Sequence, residues 1–150
     1  MADGPLLRRA LLVLGPTEAL LSMTAFFTVL IGGGWHYGED ASTALLASAS
    51  GSTFTVIAVA QMVNAFVCRS ETRAVWRLDP RGNPWVVAAV GVEVLMLLAF
   101  LAVPWLSTEL GGAWPPLTGW LSCLATVGVL PVVDAAHKGL TRVRRRGQSL

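Results

Sequence analysis

Residues 44–69, ALLASASGSTFTVIAVAQMVNAFVCR, decide the fold of this chain. The segment is longer than the roughly 20 mostly apolar residues that a helix needs to cross a bilayer. Its first half is rich in small residues, and its second half carries two amides, Gln61 and Asn64. Small residues let helix backbones approach closely, and amides in hydrocarbon need hydrogen-bond partners. The segment therefore predicts a helix at the packed centre of a membrane bundle.

The composition of the whole chain also indicates a membrane protein. Its 150 residues are 54% hydrophobic and 13% charged, whereas a soluble domain is about 25% charged. The length fits one domain, and we find no internal repeat. We therefore expect an all-α membrane protein with a single domain over residues 1–150.

Four apolar stretches predict four transmembrane helices, at about residues 10–31, 44–67, 85–106 and 117–140. The first contains one ionisable residue, Glu18, and Pro16 is expected to kink it. A signal peptide would have a shorter apolar region and a cleavage site of small residues, so we expect this helix to be retained.

The basic residues predict the orientation of the bundle. All 11 lie in the lead 1–9, in the segment 68–84, or from Lys138 onward, and the loops at 32–43 and 107–116 have none. By the positive-inside rule both termini and the 68–84 segment are cytoplasmic, in a multi-pass protein of the cell membrane. Cys68 and Cys123 then fall toward opposite faces, so we expect them not to pair.

Three carboxyl side chains lie inside the predicted spans: Glu18, Glu93 and Asp134. Counted from the cytoplasmic helix ends at about 1.5 Å per residue, Glu18 and Glu93 lie about 12 Å deep. A carboxylate at such depth costs at least ~2.5 kcal/mol, so it usually faces the bundle and has a partner or a function. Asp134 and Lys138 are one helical turn apart, which predicts an ion pair.

The other polar and small residues of the second helix form two patterns. Gln61 and Asn64 share one face, where they could serve as interhelical hydrogen-bonding groups or lend amide oxygens to a cation path. Two amides alone are too few ligands for a metal site. The small residues recur at spacings of four and three and predict a helix-packing face: Ala47, Gly51, Thr55 and Ala58.

Four motifs, in order along the chain, resemble one family. The run STFTVIAVAQMVNAFVCRS at 52–70 resembles the eighth transmembrane helix of type II cation-transporting P-type ATPases, and NPW at 83–85 resembles the start of the ninth. LPVVD at 130–134 followed by Lys138 resembles the end of the tenth, and Glu18 with GGGW at 32–35 is similar to bacterial seventh helices. The chain thus resembles the C-terminal transmembrane domain, helices seven to ten, of these pumps.

The resemblance implies roles for two residues. The position matching Gln61 contributes to a cation site in calcium pumps, and the position matching Asn64 is acidic in the sodium/potassium branch. Both positions hold neutral amides in this chain. The other cation ligands of the family lie on helices four to six, which this chain lacks. The resemblance therefore predicts that Gln61 and Asn64 border a cation path, and it points to no other metal ligand in this chain.

The resemblance also implies that this chain does not hydrolyse ATP by itself. The phosphorylation motif DKTGT and the motifs TGE and GDGxND of these pumps are absent from the sequence. We expect the chain to be no enzyme by itself and to use no cofactor. It would be the support domain of a cation pump, as a fragment or a separate subunit. Its partners would be the lipid bilayer and the remaining pump helices, and not nucleic acid.

Two alternatives stay open at this stage. The chain could be a free-standing scaffold or regulator that docks on another membrane protein through the small-residue face of the second helix. It could also be a small carrier with Glu18 and Glu93 as proton or cation groups, although a single four-helix unit without an inverted repeat is an unusual transporter.

Overall fold

The computed structural model describes residues 10–68 and 84–147. The predicted basic lead, most of the basic 68–84 segment and the last three residues lie outside these ranges. A π-helical turn, Ala10–Leu14, is followed by helices α1 (Gly15–Gly32), α2 (Thr43–Val67), α3 (Pro84–Ala102), α4 (Pro104–Glu109) and α5 (Leu117–Gly147). Of these described elements, four helices are long and apolar enough to span a membrane, and none is a strand. The predicted all-helical fold with four spans is confirmed.

The start of the first span is irregular, next to Pro16. The π-helical turn leads directly into α1, whose first turn contains that proline. Proline has no N–H group to donate to the preceding turn, and π-turns are one way in which a helix absorbs such a break. The hydroxyl of Thr17 donates to the carbonyl of Val13 (2.7 Å), which gives one carbonyl of the turn a partner.

Helix α2 is the centre of the bundle and packs against α1, α5 and α3. Ser42 caps its first turn by accepting a hydrogen bond from Leu45 N (3.3 Å). Alanines are among the buried residues along it, as expected where helices pack closely in lipid. Three buried clusters follow the helix: Leu14, Ala60, Val67 and Leu130; Ala25, Val56 and Cys123; and Val29, Leu30 and Ala49.

Buried hydroxyl groups in the bundle bond within their own helices. Ser52 donates to Ser48 O and Thr55 to Gly51 O, both at 2.7 Å. Such bonds let a polar residue lie in hydrocarbon without an exposed donor. Ser52 also lies against Gly119 of α5, where a side chain on the glycine would collide with it. The α2–α5 contact therefore depends on one small residue from each helix.

The third predicted helix ends earlier than expected, at Ala102 rather than at residue 106. Val103 is extended (φ −89°, ψ 109°), and Pro104 begins the short helix α4. A proline disfavours helical geometry in the residue before it, which explains the break. The buried residues of α3 are Leu97, Phe100 and Leu101, all in its second half.

The connection at 110–116 folds back onto α2. Gly111 has a positive φ of 65°, a conformation that suits glycine and turns the chain. Ala113 N then donates to Ala47 O (2.9 Å), and the backbone of Ala113 lies directly against Gly51. We call the end of the bundle with the 33–42 and 110–116 connections the loop end, and the opposite end the terminal end. Cys68 and Cys123 are both free.

Candidate functional site

The polar centre of the bundle joins α1 to α2 through one carboxylate and two amides. Gln61 Nε2 donates to Glu18 Oε1 (2.8 Å), and Asn64 Nδ2 donates to Glu18 Oε2 (3.1 Å). Each carboxylate oxygen therefore receives one amide hydrogen from the neighbouring helix. We call these three residues the Glu18 cluster.

Local structure places the three side chains of the cluster together. Gln61 and Asn64 are three residues apart and project from one face of α2. Glu18 lies in the first turn of α1, just after the π-helical turn. On the terminal side of the cluster Leu14 packs against Ala60 and Val67 of α2, which fixes the two helices side by side.

The ligand types of the cluster suit a hard cation. One carboxylate and two amide carbonyls are oxygen ligands of the kind that such cations prefer. Asn64 Oδ1 is buried and has no hydrogen-bond partner among the described residues. These oxygens are fewer than the six to eight that Ca²⁺ takes, so further ligands would have to come from elsewhere. Among the described residues no group of three His, Cys, Asp or Glu side chains could hold a metal ion.

A second polar contact ties α5 to α2 at the terminal end. Lys138 Nζ lies 2.5 Å from Asp134 Oδ2, and both side chains are almost fully buried. The same ammonium donates to Val67 O (3.2 Å), the carbonyl of the last residue of α2. The lysine therefore neutralises a buried carboxylate and also satisfies a carbonyl at a helix end, where the dipole favours a positive charge.

Glu93 lies apart from both contacts. It borders a cavity of about 220 Å³ between α2 and α3, which Gln61 also lines. No hydrogen bond or ion pair links the Glu93 side chain to the rest of the described chain. The structure thus places Gln61 between two carboxylates, with its amide nitrogen bonded to Glu18 and its side chain bordering the Glu93 cavity.

The predicted small-residue stripe is covered by parts of this chain. Ala47 and Gly51 lie under the 110–116 connection, and Thr55 is fully buried. Ala58 packs against the buried cluster of α3. A change at Gly51 would therefore disturb the chain's own packing before it affected any contact with another protein.

Two contacts were missed by reasoning from the sequence alone. The sequence placed Glu18 and the two amides inside predicted spans, which was the signal available, but it did not show that they face each other. It predicted an ion pair between Asp134 and Lys138 but carried no indication that Lys138 also reaches Val67 O. Both contacts depend on how the helices are rotated about their axes, which depth does not determine.

Comparison with known proteins shows the family. The family model described as cation transporting ATPase, C-terminus, matches residues 1–140. This chain belongs to that family. The resemblance to the C-terminal membrane domain of cation-transporting P-type ATPases is thereby confirmed, and so is a membrane location.

Curated relatives of this ATPase C-terminal domain include a probable cation-transporting ATPase F of Mycobacterium tuberculosis and one of Mycobacterium bovis. Each is 26% identical to the chain over 144 residues, which is 96% of the chain. The chain spans only 15% of the length of these relatives. No solved structure matches it.

Proposed function

We propose that this chain is the support domain of a cation-transporting P-type ATPase, as a fragment or a separate subunit, and that it lends the Glu18 cluster to the cation path. Both termini would lie on the cytoplasmic side, as the distribution of basic residues predicts. The energy-coupling domains and the other cation ligands would belong to the rest of the pump. The observation that carries the proposal is the junction of α1 and α2 at Glu18.

The bracing part of the proposal follows from how α2 is held. Small residues bring the α2 backbone close to its neighbours, and the Lys138 contact fixes its terminal end to α5. A helix fixed at several points along its length gives a firm surface for mobile helices to move against. Its exposed apolar side chains, Phe54 and Ile57, remain available for contact with other helices or lipid.

The cation-path part follows from the ligand chemistry of the Glu18 cluster. In the present arrangement both amide nitrogens point at the carboxylate. A rotation of each amide group by about 180° would replace the nitrogen with an oxygen at nearly the same place. The cluster could then offer up to four oxygens to a cation, and pump helices outside this chain would complete the site.

The first test is association and transport in a split pump. The mycobacterial ATPase F, with the segment matched by this chain deleted, is expressed with the tagged chain in the same cells. We expect the two polypeptides to co-purify in detergent and to restore ATP-driven cation transport in vesicles. If they neither co-purify nor restore transport, the support role is wrong.

The second test separates bracing from cation binding in that split pump. Glu18→Gln removes the charge of the cluster but keeps most of its shape. We expect it to raise the cation concentration for half-maximal transport by at least about tenfold, as supporting ligands of metal sites do when altered. Co-purification should stay unchanged. Glu109→Gln, at an exposed residue of α4, is the matched control and should alter neither quantity. An unchanged cation dependence in Glu18→Gln would remove the cation-path role and leave the support role standing.

A further inference from the structure

The groove between α2 and α3 is lined by the half-buried carboxylate Glu93. Its cavity has a volume of about 220 Å³. Helix α3 has no buried residue before Leu97, so only its second half packs firmly against α2. The groove is lined by Phe54, Ile57, Ala58 and Gln61 of α2 and by Glu93, Met96 and Leu97 of α3.

The two polar side chains of this groove, Glu93 and Gln61, each carry hydrogen-bond acceptors. Glu93, when ionised, can only accept hydrogen bonds. Gln61 Nε2 uses one of its two hydrogens on Glu18, and the Gln61 carbonyl oxygen has no hydrogen-bond partner among the described residues. An occupant that satisfies both groups must therefore bring donors. Because an intramembrane carboxylate is costly when unpaired, the occupant should also bring a positive charge.

The described part of this chain does not supply that charge. The single lysine of the sequence, Lys138, is bound to Asp134 and Val67 O at the terminal end. All arginines lie in the segments 1–9, 69–83 and 142–146. Glu93 is about 13 Å along α3 from Pro84, more than two turns beyond the 69–83 segment.

We propose that one transmembrane helix of the pump portion outside this chain docks in the α2–α3 groove, and that a lysine or arginine on this helix reaches Glu93 and the carbonyl oxygen of Gln61. This inference rests on the proposed function, because the docking helix comes from the rest of the pump. The chain spans 15% of the length of its curated relatives, so the part that could supply this helix is large. The apolar flank of the helix would cover the exposed Phe54, Ile57 and Met96.

The lysine or arginine of the docked helix would also connect the groove with the Glu18 cluster. The Gln61 oxygen would accept a hydrogen bond from this basic side chain, and the Gln61 nitrogen would donate one to Glu18. A movement of the docked helix would then reorient the Gln61 amide and change the hydrogen bonding of Glu18. The groove would in this way couple the support domain to helices that move during transport.

The experiment measures the affinity of the purified chain for the rest of the split pump in nanodiscs. Glu93→Gln keeps the size of the side chain and removes its charge, and Glu109→Gln again serves as the matched control. We expect Glu93→Gln to weaken association by at least about tenfold and the control to leave it unchanged, as for the loss of one member of a desolvated charge pair. The unfolding midpoint of the isolated chain should not fall in Glu93→Gln, which shows that the loss is not misfolding.

A charge-reversal series identifies the partner. Glu93→Lys should abolish association, and one Lys→Glu or Arg→Glu change in a transmembrane helix of the rest of the pump should restore it. Wild-type affinity in Glu93→Gln would overturn the inference and leave the support role intact. Restoration only by changes in this chain's own arginines would overturn it as well. If the wild-type chain does not associate at all, the proposed function itself is wrong and the docking inference falls with it.

Discussion

The contact between Gly51 and the 110–116 connection predicts an unusual response to a small substitution. Ala113 lies so close to α2 that a methyl group at Gly51 would overlap the Ala113 carbonyl oxygen and lie 2.9 Å from Ala113 N. Both opposing atoms belong to the backbone and cannot rotate away. Gly51→Ala must therefore push the connection off α2 and strain the hydrogen bond between Ala113 N and Ala47 O.

The expected size of this effect is a sum of opposing contributions. Overpacking in a close contact costs about 1–3 kcal/mol. Loss of the Ala113–Ala47 hydrogen bond costs about 0.5–1.5 kcal/mol. The higher helix propensity of alanine returns about 1 kcal/mol. We expect Gly51→Ala to lower the free energy of unfolding by about 0.5–3.5 kcal/mol in total, although alanine is the better helix former.

Gly91→Ala is the matched control, because the same change is made in a membrane-spanning helix with a different outcome. A methyl group at Gly91 meets no atom within 4 Å. Its free energy of unfolding should stay the same or rise by up to about 1 kcal/mol. The measurement is unfolding by SDS in mixed micelles, followed by circular dichroism. If Gly51→Ala is as stable as the wild type or as Gly91→Ala, the packing of the connection on α2 is wrong.

Two further changes test the contacts that hold the bundle, with the same unfolding assay. Lys138→Met should lower the free energy of unfolding by about 3–5 kcal/mol, because it takes the ammonium from buried Asp134 and the donor from Val67 O. Leu140→Ala, at a side chain of the same helix that is 67% exposed, should change it by less than about 0.5 kcal/mol, and equal effects at both positions would contradict the buried contact. Phe100→Ala should cost about 3 kcal/mol, since the ring is 5% exposed and its centroid lies 4.2 Å from that of Phe54. Met96→Ala, at a side chain that is 69% exposed, should cost under about 1 kcal/mol, and a similar loss at both sites would show that α3 is not anchored through Phe100.

Most of the fold could be predicted because hydropathy is a local property of a membrane chain. Each of the four spans is recognisable from its own residues, whatever it packs against. The exception was the end of the third span. The sequence placed Pro104 inside the helix near its end, but the residue before a proline resists helical geometry, and the helix breaks at Val103.

The residues of the candidate site could be predicted from the sequence, but the hydrogen bonds between them could not. Glu18, Gln61 and Asn64 stood out because polar groups at depth are costly. Their mutual hydrogen bonds could not be read from the sequence, because Glu18 is 43 residues from Gln61 and the rotation of α1 relative to α2 is set by packing. Gly51 was expected to serve helix packing, yet the structure places a connection between helices against it.

The sequence by itself determined that the chain is a four-span helical membrane domain, and its motifs pointed to the family that the comparisons show. The length of each apolar stretch and the order of the motifs are read directly from the sequence, so they require no knowledge of contacts between helices. Only the tertiary structure decided that Glu18 accepts hydrogen bonds from both amides, that Lys138 donates to the last carbonyl of α2, and that Glu93 borders the α2–α3 groove. These outcomes depend on how closely and at what rotation the helices meet, which small residues such as Gly119 allow but do not specify.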